Sequence, residues 1–376
     1  MYEARNRGAE MTTERQGILP DGEIGRLIEA GAIRLADPAA PNQIQPASLD
    51  LRLGSVAHRV RASFLPGPNF SVETKLRQLG LHEIPLDDGA VLETGCVYIV
   101  PLQESLALPA DIAASANPKS STGRLDIFTR VITDNARSFD QMPPGYTGPL
   151  YLEISPRTFP IVVRRGSRLS QIRFRRGNDV LDDAALIALH DRVGLVKGAE
   201  PRFSGGLMLS IDLDGGDGET GLVGYRAKRF TGLVDVDRPG SYRVADFWEP
   251  IRRGSRPELV LDPDQFYILV SAEAVHVPPD HAAEMVPFDP LVGEFRVHYA
   301  GFFDPGFGHD AAGGTGSRAV LEVRSHEVPF ILEHGQTIGR LVYEPTAGAP
   351  SRLYGTALGS NYQAQGLKLS KHFQAP

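Results

Sequence analysis

The sequence predicts a mainly β protein, organised as two tandem domains of distorted β-barrel or jelly-roll type with a few short helices. Three observations predict it. The chain has 376 residues, too many for one ordinary core and enough for two. Forty Gly and 29 Pro interrupt it, and long helical patterns are few, so turns are frequent. The third is a domain-sized internal repeat.

The repeat is read from a constant offset. Val91-Leu92, Tyr98-Ile99, Glu104, Pro109, Asp111 and Ala113-Ala114 recur as Val260-Leu261, Tyr267-Ile268, Glu273, Pro278, Asp280 and Ala282-Ala283, each 169 positions on. The same step carries Pro118 to Pro287, Leu152-Glu153 to Leu321-Glu322, Pro160 to Pro329 and Gly166 to Gly335. Ser48-Leu49-Asp50-Leu51 resembles Ser210-Ile211-Asp212-Leu213 at another offset, so a length change lies near the start of a copy. The spacing excludes a short-period solenoid.

Within a copy the elements are short strands. Tyr151–Ile154 and Phe159–Val163 are β-rich runs around the turn-like Ser155-Pro156-Arg157-Thr158. Ser170–Phe174 alternates polar and apolar residues. Leu181, Leu186 and Leu189 in Val180–His190 have roughly helical spacing. That stretch reads as a linking helix, with domains at 1–195 and 196–376.

Composition limits the function classes. Hydrophobic residues are 41% and charged residues 23%, as in a soluble globular protein. The formal net charge of −7 gives no overall attraction to nucleic acid, so an anionic ligand needs a local cluster of Arg and Lys. Cys96 is the single cysteine and fits a reducing compartment. Met1–Gln16 lacks the apolar core of a signal peptide and reads as a loose tail. No apolar run reaches the roughly 18 residues of a membrane span. The expectation is a cytoplasmic protein with neither a membrane nor a nucleic acid as partner.

Two stretches carry chemistry. Pro118-Lys119-Ser120-Ser121-Thr122-Gly123-Arg124 gathers two cations and three hydroxyls, suited to phosphate oxygens or to an ordinary polar turn. It is not a Walker loop. In Gly145-Tyr-Thr-Gly-Pro-Leu-Tyr-Leu-Glu153, strand alternation turns Glu153 away from Leu152 and Ile154, either to solvent or into a pocket. Burial there raises a carboxyl toward the range useful for proton transfer.

These motifs carry a resemblance. Gln45–Gly54 resembles the opening motif of dCTP deaminases, and Lys119–Arg124 their Arg-Ser-Ser-x-x-Arg loop. Gly145–Glu153 resembles their Gly-aromatic-x-Gly-x4-Glu strand. Tyr354 with Asn361–Gly366 resembles their closing tail. The resemblance implies the fold shared with trimeric dUTPases. It also implies hydrolysis of dCTP to dUTP and ammonia, leading to thymidylate. Glu153 would be the general acid/base, Ser120 would position water, and Arg124 would lie near the reacting centre. Lys119 and Ser121 would contact phosphates, and Tyr151, Tyr354, Asn361 and Gln365 would bind substrate. Mg²⁺ would arrive on the triphosphate, with no protein-bound zinc and no metal ligands in the chain. Zinc deaminases need an H-x-E…P-C-x-x-C set, which Cys96 alone cannot supply. Related single-copy enzymes build sites between subunits, so a homo-oligomer is expected, with a trimer favoured.

The copies depart from the pattern in different places. The second keeps Glu322 but has Phe288–Gly293 where the loop stands, so Glu322 is expected to be structural. The first turns the family's Asp-Pro-Gly-aromatic run into Asp140-Gln-Met-Pro-Pro-Gly-Tyr146, whereas the second retains Asp304-Pro305-Gly306-Phe307. Asn361 replaces a Lys. Rival readings are a dUTPase, a bifunctional enzyme ending at dUMP, and a non-catalytic deoxynucleotide-binding regulator. Gly313–Gly316 is expected as a hairpin tip, Trp248 as core or interface, and His190-Asp191 and the basic run Tyr225–Arg229 as surface.

Overall fold

A computed structural model describes residues 15–215, 221–287, 295–297, 301–325, 327–355 and 366–374. It is mainly β with few helices. The copies repeat one topology. In the first, one sheet runs in the order Ile127–Thr133, Thr147–Pro156, Val97–Ala107, Val56–Val60, Gly80–Pro85. In the second, the matching order is Phe295–Val297, Ser317–Ser325, Phe266–Val275, Leu222–Ala227, Trp248–Arg252. Register repeats as well: Glu153 lies opposite Ile99, and Glu322 opposite Ile268.

A second sheet backs each of these. In the first copy it runs Gln141–Met142, Ile112–Pro118, Ser170–Arg176, Ser48–Leu51, Ile44–Gln45. In the second it runs Phe302–Phe303, His281–Pro287, Thr337–Pro345, Leu207–Ser210. The two-residue period divides each strand between two environments. Leu150, Leu152 and Ile154 enter the first copy's core, and Ala319, Leu321 and Val323 the second's.

The opposite faces of the matching strands are covered differently. In the first copy, Tyr151, Ile99 and Ile132 lie under Val72 and Leu76 of the helix Val72–Leu79. In the second, Phe266, Ile268, Val270 and Val320 belong to the cluster that contains the first copy's core. One copy thus caps its sheet with its own helix, while the other lays its sheet on its neighbour. Val234–Asp235 of the second copy even adds a parallel strand to Ile161–Val163 of the first.

The linking helix spans Asp183–Val193, capped by the Asp182 side chain on Ala185 N–H and ended by Gly194 in the left-handed region. Its Leu186 and Leu189 are buried in the second copy's core. Trp248 is 1% exposed. It packs edge-on to Phe159 of the first copy and Phe373 of the tail, at centroid distances of 5.5 and 5.8 Å. Gly313 follows a short 3-10 turn, Asp310–Ala312. The strand starting at Phe159 is shorter than its composition suggests, Ile161–Val163, because Pro160 has no N–H to give a ladder.

Candidate active site

The loop Lys119–Arg124 leaves the strand Ile112–Pro118 as a single helical turn, Ser120–Gly123. The Lys119 carbonyl accepts from Thr122 and Gly123 N–H at 2.8 and 3.0 Å, and the Thr122 hydroxyl donates to the Leu169 carbonyl at 2.8 Å. The turn is therefore anchored at both ends. The Lys119 ammonium pairs with Asp50 of the opening motif, whose other oxygen lies 3.5 Å from Arg168 Nη1. Ser120 is half-buried, and Ser121 and Thr122 are buried.

Arg124 points toward the second copy. Its Nη1 donates to the Lys368 carbonyl at 2.9 Å, and its Nε lies 3.9 Å from Glu322 Oε1. Both side chains are nearly inaccessible, at 4% and 5%. Burial pushes the Glu322 carboxyl up to about 8, against the pull of the Arg124 guanidinium. Behind this pair, Asp126 and Thr158 of the first copy hold Arg324 of the second.

The tail closes over the same loop. Ser370 Oγ donates to the Ser121 carbonyl at 2.8 Å and lies 2.9 Å from His372 Nδ1. His372 Nε2 donates to the Val236 carbonyl at 2.8 Å. Burial holds this imidazole neutral, its pKa pushed down to about 4. Burial and neighbouring cations also lower the pKa values of Lys368 and Lys371. Lys119, Arg124, Arg168, Lys368 and Lys371 thus meet at one seam, an arrangement suited to phosphate oxygens.

The Asp304-Pro305-Gly306-Phe307 turn lies along that seam. Asp304 pairs with Arg173 of the first copy at 3.0 Å, and its other oxygen lies 3.5 Å from Ser48 Oγ. Burial raises its pKa, opposed by Arg173. Tyr354 N–H donates to the Pro305 carbonyl at 2.8 Å, and its ring stands 5.8 Å from Phe307. Gly306 (φ +96°) permits this approach, because a Cβ there would come within 2.8 Å of Leu353 Cβ.

Glu153 lies elsewhere within the chain. Its Oε1 accepts from Arg130 Nη2 and Nε at 2.6 and 3.1 Å, and its Oε2 is buried without a hydrogen-bond partner among the described residues. The Arg130 guanidinium sits 3.5 Å from the Phe139 ring centroid and also donates to Ser63 Oγ at 2.7 Å. Asp140 accepts from Val131 N–H at 2.7 Å, and burial pushes its carboxyl up to about 7. Tyr151 shares the Glu153 face.

Of the sequence-predicted residues, Lys119, Ser120, Ser121 and Arg124 form one turn, and Tyr354 reaches the Asp304 turn on the same seam. Glu153 and Tyr151 face the first copy's own helical cap. Asn361 and Gln365 lie outside the described residues. Sequence reasoning passed over Lys368, Ser370 and Asp304 as contacts, and set Glu322 aside. The retained Asp-Pro-Gly-Phe run in the second copy was the one signal pointing there.

Comparisons with known proteins agree with the duplicated architecture. Residues 15–178 match the model of the 2'-deoxycytidine 5'-triphosphate deaminase N-terminal domain, and residues 182–373 that of the C-terminal domain. A dCTP deaminase from Haloarcula marismortui is 33% identical over 161 residues, 42% of this chain and 79% of the relative. A dUMP-forming dCTP deaminase from Kocuria rhizophila is also 33% identical over 161 residues, 42% of this chain and 78% of the relative. The crystal structure of 2'-deoxycytidine 5'-triphosphate deaminase from Agrobacterium tumefaciens superposes with a TM-score of 0.85 at 68% identity, covering 88% of this chain and 99% of that one. With both domain models matched in succession, the chain belongs to the 2'-deoxycytidine 5'-triphosphate deaminase family.

Proposed function

We propose that this chain hydrolyses dCTP to dUTP and ammonia, supplying dUMP and dTTP synthesis. The observation that carries the reading is the seam itself: a hydroxyl-rich cationic turn, a buried carboxylate against its arginine, and a tail closing over both. Lys119 and Ser121 contact the phosphates and Ser120 orients the attacking water. Arg124 steadies charge near the reacting centre, and Tyr354, Asn361 and Gln365 close on the nucleotide. Two equivalent strand positions, Glu153 and Glu322, offer the carboxyl group.

The carboxyl group moves protons in both halves of the reaction. It protonates N3 of the cytosine and takes a proton from water as the water oxygen bonds to C4. It then passes that proton to the amino group and takes up the C4 hydroxyl proton as the C4–N bond breaks, leaving uracil, ammonia and the protonated carboxyl group. General acid–base catalysis contributes about 10²–10⁴-fold. Hydrogen bonds fixed in advance around the tetrahedral centre add to it. Mg²⁺ enters with the triphosphate as part of the substrate. No step in this scheme uses a protein-bound zinc.

The same proposal takes each half as a dUTPase-like distorted barrel or jelly roll, and the protein as a cytoplasmic homo-oligomer, a trimer favoured; the boundary expected near residue 195 falls after a helix whose Leu186 and Leu189 pack in the second copy's core. Its support is the family resemblance; light scattering on the purified protein tests the assembly. Among the described residues no helix is long and apolar enough to cross a membrane.

A second reading, deamination followed by cleavage to dUMP, is favoured by the dUMP-forming relatives. Incubating the purified protein with dCTP and Mg²⁺ tests both. Ammonia with dUTP supports the first, and ammonia with dUMP and pyrophosphate supports the second. Tight dCTP binding without product after long incubation leaves a regulator.

A further inference from the structure

We infer that the proton-moving carboxyl group of this chain is Glu322 of the second copy, acting in a site shared between the copies, and that Glu153 is structural. The inference rests on the deaminase reading and specifies where the reaction occurs. Glu322 was expected to be structural because its own copy lacks the serine–arginine loop. The fold removes that objection by bringing the first copy's loop to it: Arg124 Nε stands 3.9 Å from Glu322 Oε1.

The losses in the two copies are complementary. The first keeps Lys119–Arg124 but has broken its Asp-Pro-Gly-aromatic turn. The second keeps Asp304-Pro305-Gly306-Phe307 and Glu322 but has no such loop. Neither copy holds a full set, and the seam between them does. The tail on either side of residues 356–365 ends on this seam, with Tyr354 on the Asp304 turn and Lys368 on Arg124. The Glu322 pKa, raised by burial to about 8, leaves the carboxyl able to donate to N3 at neutral pH.

Among the described residues, Glu153 has none of these neighbours in its chain. Arg130 binds one of its oxygens through two N–H groups. The face that carries Glu153 is covered by the first copy's own helix Val72–Leu79 rather than by a loop of that kind. Each chain has one Lys119–Arg124 turn, and Glu322 with the tail already occupies it.

The test uses full-length wild type, Glu322→Gln and Glu153→Gln, with ammonia release, dCTP binding by calorimetry and thermal melting measured on each. Glu322→Gln should lower kcat by about 10²–10⁴-fold while leaving the dCTP Kd within about threefold, a split that mere misfolding would not produce. Glu153→Gln should keep kcat within about threefold, even where its melting temperature drops. Near-normal turnover in Glu322→Gln, or loss of turnover in a Glu153→Gln protein that melts normally and binds dCTP, overturns the assignment. A wild type that releases no ammonia from dCTP defeats the deaminase reading itself, and the assignment with it.

Discussion

Glu153 and Glu322 occupy the same position of the same strand in two copies of one fold, opposite Ile99 and Ile268 respectively. Their surroundings nevertheless differ. Glu153 is matched by a cation on the next strand of its own sheet, Arg130. Glu322 meets its cation, Arg124, across the seam, from a loop that its own copy lacks. The difference follows from what covers the outer face of each sheet, a local helix in one case and the other copy in the other. Each half contributes different groups to the shared seam, Arg124 from the first and Glu322 from the second. Equivalence in sequence therefore does not carry equivalence of surroundings.

Arg124 is the sharpest place to break the comparison beyond the two glutamates. Arg124→Gln removes the only first-copy cation paired with Glu322 among the described residues and should lower kcat by about 10²–10³-fold. Arg130→Gln, the corresponding cut in the first copy, should leave turnover of the folded protein within about threefold. Steady-state ammonia release on both variants decides it, and equal losses would erase the distinction.

A pH profile sharpens it next. Burial raises the Glu322 pKa, Arg124 pulls it down and the nearby Asp126 pushes it up, for a value of about 8. A reaction that starts from the protonated carboxyl should lose kcat/KM above about pH 8, up to tenfold per unit. Stability shifts in the same direction. A carboxyl whose folded pKa exceeds its unfolded value contributes stability below the unfolded pKa, near 4.5, and loses it as pH rises through about 8. Glu322→Gln should therefore gain melting temperature over wild type at pH 9 relative to pH 5.

Arg130→Ala tests the structural role of Glu153. The pair is 25% and 1% exposed, and leaving the acid buried without its cation should cost about 3 kcal/mol, read by urea unfolding. The smallest effect is at the tail. Ser370→Ala removes one hydrogen bond to the Ser121 carbonyl, worth about 1 kcal/mol, and should raise KM for dCTP more than it lowers kcat.

Much of this was legible in the chain. The constant offset between Tyr98 and Tyr267 exposed the duplication, because both strands bury the same face and so keep the same residues. The loop Lys119–Arg124 stood out by composition. The linking helix was visible in its leucines, and Trp248 was assigned to core or interface, where it lies. The partner of Arg124 was not legible. Alternation states that Glu322 points away from Leu321 and Val323, but not what covers that face. The tail's return was equally hidden, since Lys368 meets Arg124 through a backbone carbonyl, which no side-chain pattern announces.

By itself the sequence determined a duplicated β architecture, a phosphate-suited turn and the chemical types needed for deamination, because strand period, turn residues and side-chain chemistry are local properties. Only the tertiary structure decided which carboxylate meets the arginine. That depends on how one sheet packs against another copy, and packing is set by surfaces hundreds of residues apart in the chain working together.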